Sequence, residues 1–306
     1  MSDFFNSGWS VFIAAVTILG LVGCLALLFG ASRRKVMSAT DNTTGHVWDG
    51  DLVELNNPLP RWWMMLFIIT VVFGAIYLAL YPGLGARAGT LQWSSTGEHQ
   101  ADVAAARAQI APLYARFNAL APEALAKDAQ AMALGERLFV NNCAQCHGSN
   151  ARGSKGFPNL TDTDWLWGGA PERIMETIRE GRNGNMPPMA AAVGTSEEVR
   201  NVANYVLSLS DSPHNSVAAQ LGRPKFVVCA ACHGMDGKGN PALGSANLTD
   251  KVWLHGWGED AIVRMVNEGK HNVMPAHKDR LSEDQIRVLG TYVWSLSQPG
   301  SLTAQR

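Results

Sequence analysis

One unit of this chain is written twice, and any fold it adopts must accommodate the pair. The first copy carries Cys143-Ala144-Gln145-Cys146-His147-Gly148 and the second Cys229-Ala230-Ala231-Cys232-His233-Gly234. Downstream the copies stay in step. Asn159-Leu160-Thr161-Asp162 matches Asn247-Leu248-Thr249-Asp250, Trp165 matches Trp253, Ile174 matches Ile262, Gly181 matches Gly269, and Met186-Pro187 matches Met274-Pro275. From the Asn to the Met the spacing is identical, so the two-residue length difference lies in the loop after each His. A Gly-x-x-x-Phe stretch before each cluster, beginning at Gly135 and at Gly222, marks an opening helix. Amphipathic segments over 196–210 and 282–297 mark closing helices. Read from Ser196, the first has Val199 where a capping box wants an acid; read from Ser282, the second is complete with Gln285.

Two thiols one helical turn apart can each meet a vinyl group of a porphyrin, and the next residue can then present an imidazole to its iron. Cys-x-x-Cys-His is the attachment signature of c-type haem for that reason. A redox dithiol would want a βαβ pattern, which is missing, and a zinc site would have its His pressed against the second Cys. Cys143, Cys146, Cys229 and Cys232 are therefore expected as thioether attachments, His147 and His233 as proximal ligands, and two covalently bound haem c groups as the cofactors. For the sixth ligand, Met186 and Met274 sit in short Pro-containing loops past each His. Met189 is an alternative to Met186, and His271 or His277 to Met274. Ligation within one repeat is the default, and an exchange of Met loops between adjacent domains is the other arrangement. A Met/His pair raises the haem potential and leaves the iron no open position, which favours electron transfer over catalysis, with no catalytic residue. Trp165 and Trp253 either offer an indole N–H to a propionate or are plain core aromatics. Arg152 and Lys238, five residues after each His, face propionates or solvent. His46, His99, His214 and His255 read as ordinary polar residues.

The N-terminal part obeys a different rule. Residues 11–29 carry no charge and are long enough to cross a bilayer core, as are residues 62–80. A cleavable leader would put basic residues before the first run, yet only Asp3 precedes it and Arg33, Arg34 and Lys35 follow it. Arg61-Trp62-Trp63 enters the second run, and Tyr77 and Tyr81 leave it, as interfacial aromatics do. Arg33, Arg34, Lys35 and Arg61 flank the connecting loop and hold it in the cytoplasm, so the repeats belong on the periplasmic side of a bacterial inner membrane. A formal net charge of −1 gives no basic excess of the kind nucleic-acid binding needs. Of five cysteines, only Cys24 lies outside the two clusters, as a small hydrophobe in the first apolar run.

Between the spans, the segment from Thr44-Gly45-His46-Val47-Trp48-Asp49-Gly50-Asp51 through Asn56-Asn57-Pro58-Leu59-Pro60-Arg61-Trp62-Trp63 reads as a polar loop with turns at Asn57-Pro58 and Pro60. This segment closely resembles the one that marks the diheme, FixP-like subunit of cbb3-type cytochrome c oxidases, and the likeness extends across both haem repeats. The first span departs from it, since many relatives have one span. With the two apolar runs as spans, the expected fold is all-α, two N-terminal transmembrane helices followed, as the resemblance implies, by two tandem class I cytochrome c domains. Its layout would be a first span over 1–30, a cytoplasmic loop over 31–61, a second span over 62–82, a helical spacer over 83–127 and haem domains over 128–212 and 213–306. The resemblance further implies electrons passing from soluble donor cytochrome c, through these haems and a monohaem cytochrome c subunit, to a haem–copper core subunit where oxygen is reduced. The other readings are a diheme subunit of a membrane-bound dehydrogenase and a diheme peroxidase. The loop disfavours the first, and a Met in each repeat disfavours the second.

Overall fold

A computed structural model describes residues 7–33 and 42–298 of the chain. It divides into two compact units at 109/110, within the third helix.

In the first unit, α1 (Ser7–Ser32) and α2 (Arg61–Leu80) are the two apolar helices, each long and apolar enough to cross a membrane. Large apolar side chains are exposed on every face of both, and only Leu28 is buried, so these surfaces are built for a non-aqueous surrounding. Arg33 follows α1 directly and Arg61 opens α2; Asp3, Arg34 and Lys35 lie outside the described residues. At the far end of α2, Tyr77 stacks on Tyr81 with centroids 4.9 Å apart, and Trp93 meets Tyr81 edge-on at 5.9 Å. Between α1 and α2 the structure departs from the expected plain loop. Strands β1 (Thr43–Trp48) and β2 (Leu52–Leu55) pair antiparallel around Asp49-Gly50-Asp51. Asp-Gly between apolar pairs is the strongest short hairpin signal, and Asp49 and Gly50 both take positive φ there. Helix α3 (Ser95–Asn118) leads into the second unit, where Tyr114 and Phe117 are buried.

The second unit is helical and holds both repeats. The first supplies α4 (Pro122–Leu125), α5 (Ala129–Asn142), α6 (Ala144–His147), α7 (Pro171–Glu180), strand β3 (Arg182–Met186), α8 (Ala190–Val193) and α9 (Ser196–Leu209). The second supplies α10 (Ser216–Gly222), a 3₁₀ turn (Arg223–Phe226), α11 (Val227–His233), α12 (Glu259–Glu268), strand β4 (Lys270–Met274) and α13 (Glu283–Leu296). Both opening helices have an Asx cap: Asp128 accepts from the amides of Gln130 and Ala131, and Asn215 from those of Val217 and Ala218. The closing helices correct one expectation. The box on α9 is complete but starts one residue earlier than Ser196. Thr195 Oγ1 accepts from the Glu198 amide, and Glu198 returns the bond to the Thr195 amide at 2.8 Å. Reading the box from Ser196 made Val199 look like a missing acid, whereas Val199 is core.

The repeats and the cores do not coincide. In the first core, Phe139 from α5 and Ile174 and Ile178 from α7 pack with Ile286, Leu289, Tyr292 and Val293 from α13 of the second repeat. In the second core, Phe226 and α12 residues Ile262 and Val266 pack with Val199, Val202 and Val206 from α9 of the first repeat. Each closing helix therefore completes the other repeat's core. The matched glycines show how. A Cβ on Gly135 of α5 would meet Tyr292 Cβ of α13 at 2.5 Å, and one on Gly222 of α10 would strike the backbone of Asn201 and Val202 in α9. The chain crosses between cores through β3 and β4, which pair antiparallel with Arg182 opposite Met274 and Met186 opposite Lys270. The fold is otherwise the expected one, two membrane-type helices followed by two tandem cytochrome c units.

Candidate haem sites

Each Cys-x-x-Cys-His cluster is wound into one helical turn. In α6 the amides of Cys146 and His147 donate to the Cys143 carbonyl at 3.1 and 3.0 Å. Both histidines are then aimed by a backbone carbonyl. His147 Nδ1 lies 3.0 Å from the Pro158 carbonyl oxygen, and His233 Nδ1 lies 2.8 Å from that of Ala246. A carbonyl can only accept, so Nδ1 carries the proton and Nε2 keeps its lone pair, the arrangement of a metal-ligating imidazole. Burial pushes the His147 pKa down against the opposing pull of the Pro158 bond, which keeps the ring neutral.

The carbonyl-bearing loops are held by the repeated Asn-Leu-Thr. Asn159 Oδ1 accepts from the Thr161 amide and hydroxyl at 2.9 and 2.8 Å, and Asn247 does the same for Thr249 at 3.0 and 2.7 Å. The role of Pro158 and Ala246 was not foreseen from the sequence. The available signal was their position directly before the repeated Asn.

Cys143 and Cys229 do not have the thiols of a redox nucleophile. Burial, with the neighbouring Cys146, pushes the Cys143 thiol up to about 11, and burial with Cys232 raises Cys229. A reactive dithiol needs the opposite shift. Nor do the donors converge as zinc ligands would: among the described residues, no three His, Cys, Asp or Glu side chains form a metal-holding group.

The methionines follow the crossed cores. Met274 packs against the first core, with Cys143, Ala144, Leu160 and Trp165. Met186 packs against the second, with Cys229, Ala230, Leu248 and Trp253, and Met189 is there too. His271 is exposed and its Nε2 lies 2.6 Å from Asn183 Oδ1. His277 is buried, its Nδ1 without a partner among the described residues, and it occupies the position of the second repeat that Met189 occupies in the first. The expected roles of Trp165 and Trp253 separate as well. Trp253 Nε1 is buried with no partner among the described residues, a donor that an acceptor such as a haem propionate would satisfy. Trp165 lines a cleft of about 420 Å³ with Asp164, Gly169, Lys238, Ser245 and Asn247, drawn from both repeats. Burial first, then Asp250 and Asp162, pushes Asp164 up to about 6. Arg152 is exposed. Imidazoles whose Nδ1 is taken up by a backbone carbonyl, thioether sulfurs packed against the same cores and an orphaned indole donor all fit a haem.

Residues 130–206 and 225–293 match the family described as cytochrome c oxidase, cbb3-type, subunit III, and residues 40–88 match the N-terminal domain of cytochrome oxidase-cbb3, FixP. This chain belongs to that subunit III family. It is 68% identical over 305 residues, the whole of both chains, to the cbb3-type cytochrome c oxidase subunit CcoP of Rubrivivax gelatinosus. It is 42% identical to the subunit FixP of Bradyrhizobium diazoefficiens and 40% identical to that of Sinorhizobium medicae, in each case over 83% of this chain and at least 93% of the relative. It is thus a haem c-binding, membrane-anchored electron-transfer subunit of the respiratory chain.

Proposed function

We propose that this subunit holds two covalently attached haem c groups whose axial methionines are exchanged between the repeats. Cys143, Cys146 and His147 would hold the first haem with Met274, and Cys229, Cys232 and His233 the second with Met186. The observation that carries this reading is that each Met packs against the same core as the first Cys of the opposite repeat, Met274 with Cys143 and Met186 with Cys229. The haems supply one-electron chemistry at iron. The chain's own residues fix the rest: Pro158 and Ala246 orient the imidazoles, the crossed cores exclude water, and Trp253 Nε1 is free to donate to a propionate.

The repeats lie on the periplasmic side of the inner membrane in this reading, because Arg33 and Arg61 flank the loop that stays in the cytoplasm. Electrons then pass from soluble donor cytochrome c, by way of this chain and a monohaem cytochrome c subunit, towards the haem–copper core. The near-infrared spectrum of the oxidised protein should carry methionine-to-iron charge transfer from two haems. A single such haem, with peroxide turnover, would replace the carrier by a peroxidase. Purification through this chain should bring down a copper-containing oxidase; a dehydrogenase in its place would overturn the oxidase assignment.

A further inference from the structure

The β1–β2 hairpin cannot be a surface that faces water. Val47 opposes Val53 and Trp48 opposes Leu52, so one pair projects from each face of the ribbon. These four and Leu55 are between 48% and 65% exposed. A lone two-stranded hairpin is marginal in water, and this one has two apolar faces to cover.

Charge selects what covers them. Asp49, Asp51 and Glu54 stand in a stretch, 42–60, that contains no Lys or Arg, and His46 lies 3.5 Å from Glu54. The cytoplasmic leaflet is itself anionic and repels such a segment. The cytoplasmic loops of polytopic membrane proteins, by contrast, carry an excess of Lys and Arg close to their spans. The hairpin is also continuous with a membrane contact, since α2 begins six residues after β2 and the FixP-type match over 40–88 takes in both.

We propose that the hairpin is a docking element whose apolar faces are covered by the basic cytoplasmic face of the polytopic core subunit of the oxidase, with Asp49, Asp51 and Glu54 opposite its Lys and Arg side chains. The proposal rests on the cytoplasmic placement of the loop. A photo-crosslinking amino acid at Trp48 or Leu52, activated in membranes holding the assembled oxidase, should give an adduct that mass spectrometry identifies as the core subunit. The pair Asp49→Lys and Asp51→Lys should lower recovery of the core with this chain by about tenfold, with haem per chain unchanged. Adducts only to lipid or to another copy of this chain, or no adduct in an oxidase that purifies intact, would overturn the docking. The sidedness is tested separately: Asn57→Cys should react with a membrane-impermeant maleimide in inverted vesicles, and reaction in intact spheroplasts would overturn the placement beneath the proposal.

Discussion

Gly269 is the position where a single methyl group tests the crossed ligand loops. It ends α12 at φ +73°, and a Cβ there would lie 2.6 Å from the Met186 carbonyl oxygen and 2.9 Å from Pro188 N and Cδ. The nearest atom would have to retreat by 0.4 Å to reach 3.0 Å, the closest approach real Cβ atoms make. The atoms in the way are backbone and a proline ring, so the Met186 loop itself must move. Gly269→Ala also forces an L side chain into an essentially glycine-only backbone conformation, φ +73° with ψ −175°, at a cost of about 1–3 kcal/mol. The expected outcome is a small loss of stability together with a looser Met186 on the haem of Cys229 and Cys232. A weakened thioether ligand lowers that haem's potential. The assay is NMR of the ferrous full-length chain with methyl-labelled methionine, the signals assigned by Met186→Leu and Met274→Leu. The Met186 methyl should shift while the Met274 methyl stays, and Met186 should show NOEs to the haem bearing the Cys229 and Cys232 thioethers. A shift confined to Met274, or Met186 NOEs to the haem on Cys143 and Cys146, would refute the exchange.

Met186→Leu and Met274→Leu are each expected to remove one methionine-to-iron band and slow oxidase turnover while haem stays attached through its thioethers; loss of bound haem, read by pyridine haemochrome, would contradict the assigned role. Asp164 holds its proton more tightly folded than unfolded, having been raised from 3.8 to about 6, so its contribution favours folding at low pH and is lost as pH rises through that window. Asp164→Asn should therefore stabilise the protein near pH 7, in a chemical melt, with the gain fading below about pH 4; equal gains at both would show that the neighbouring Asp162, Asp250 and Lys238 leave it without strain. A chain cut after Asp211 lacks α13, and the first repeat should then fail to give a cooperative melt, whereas a two-state fragment would contradict the crossed core.

Much of this was legible because haem chemistry is written in short, local spacing. Cys143, Cys146 and His147 sit on one turn, as their order leads one to expect. The two spans were equally plain, since an uncharged run of bilayer length has few other uses. The crossing was not legible. Repeats of equal spacing describe within-repeat and exchanged cores alike, and the choice rests on which helix faces approach at Gly135 and Gly222. The hairpin was overlooked for a related reason. Asp49, Asp51 and Glu54 gave the segment a polar look, while the pairing of Val47 with Val53 and Trp48 with Leu52 becomes visible only once the register is known. The shifted capping box at Thr195 was a frame error of one residue, the usual uncertainty of a helix boundary.

The crossing has a consequence for the two Cys-x-x-Cys-His sites. The first core takes Leu281, Ile286, Leu289, Tyr292 and Val293 from the second repeat. At about 1.5–3 kcal/mol for each fully buried side chain, these five are worth on the order of 10 kcal/mol. That is comparable with the whole stability of an ordinary domain, about 5–15 kcal/mol. The second core depends in the same way, by a smaller amount, on Val199, Val202 and Val206. Tandem domains joined by a linker move relative to one another unless a large apolar interface prevents it. Here neither core is complete without the other's closing helix, and the strands bearing Met186 and Met274 are bonded to each other along β3–β4. The two sites therefore keep a fixed relation for as long as either core is folded, and a disturbance of one ligand strand is felt at its partner strand through backbone contacts.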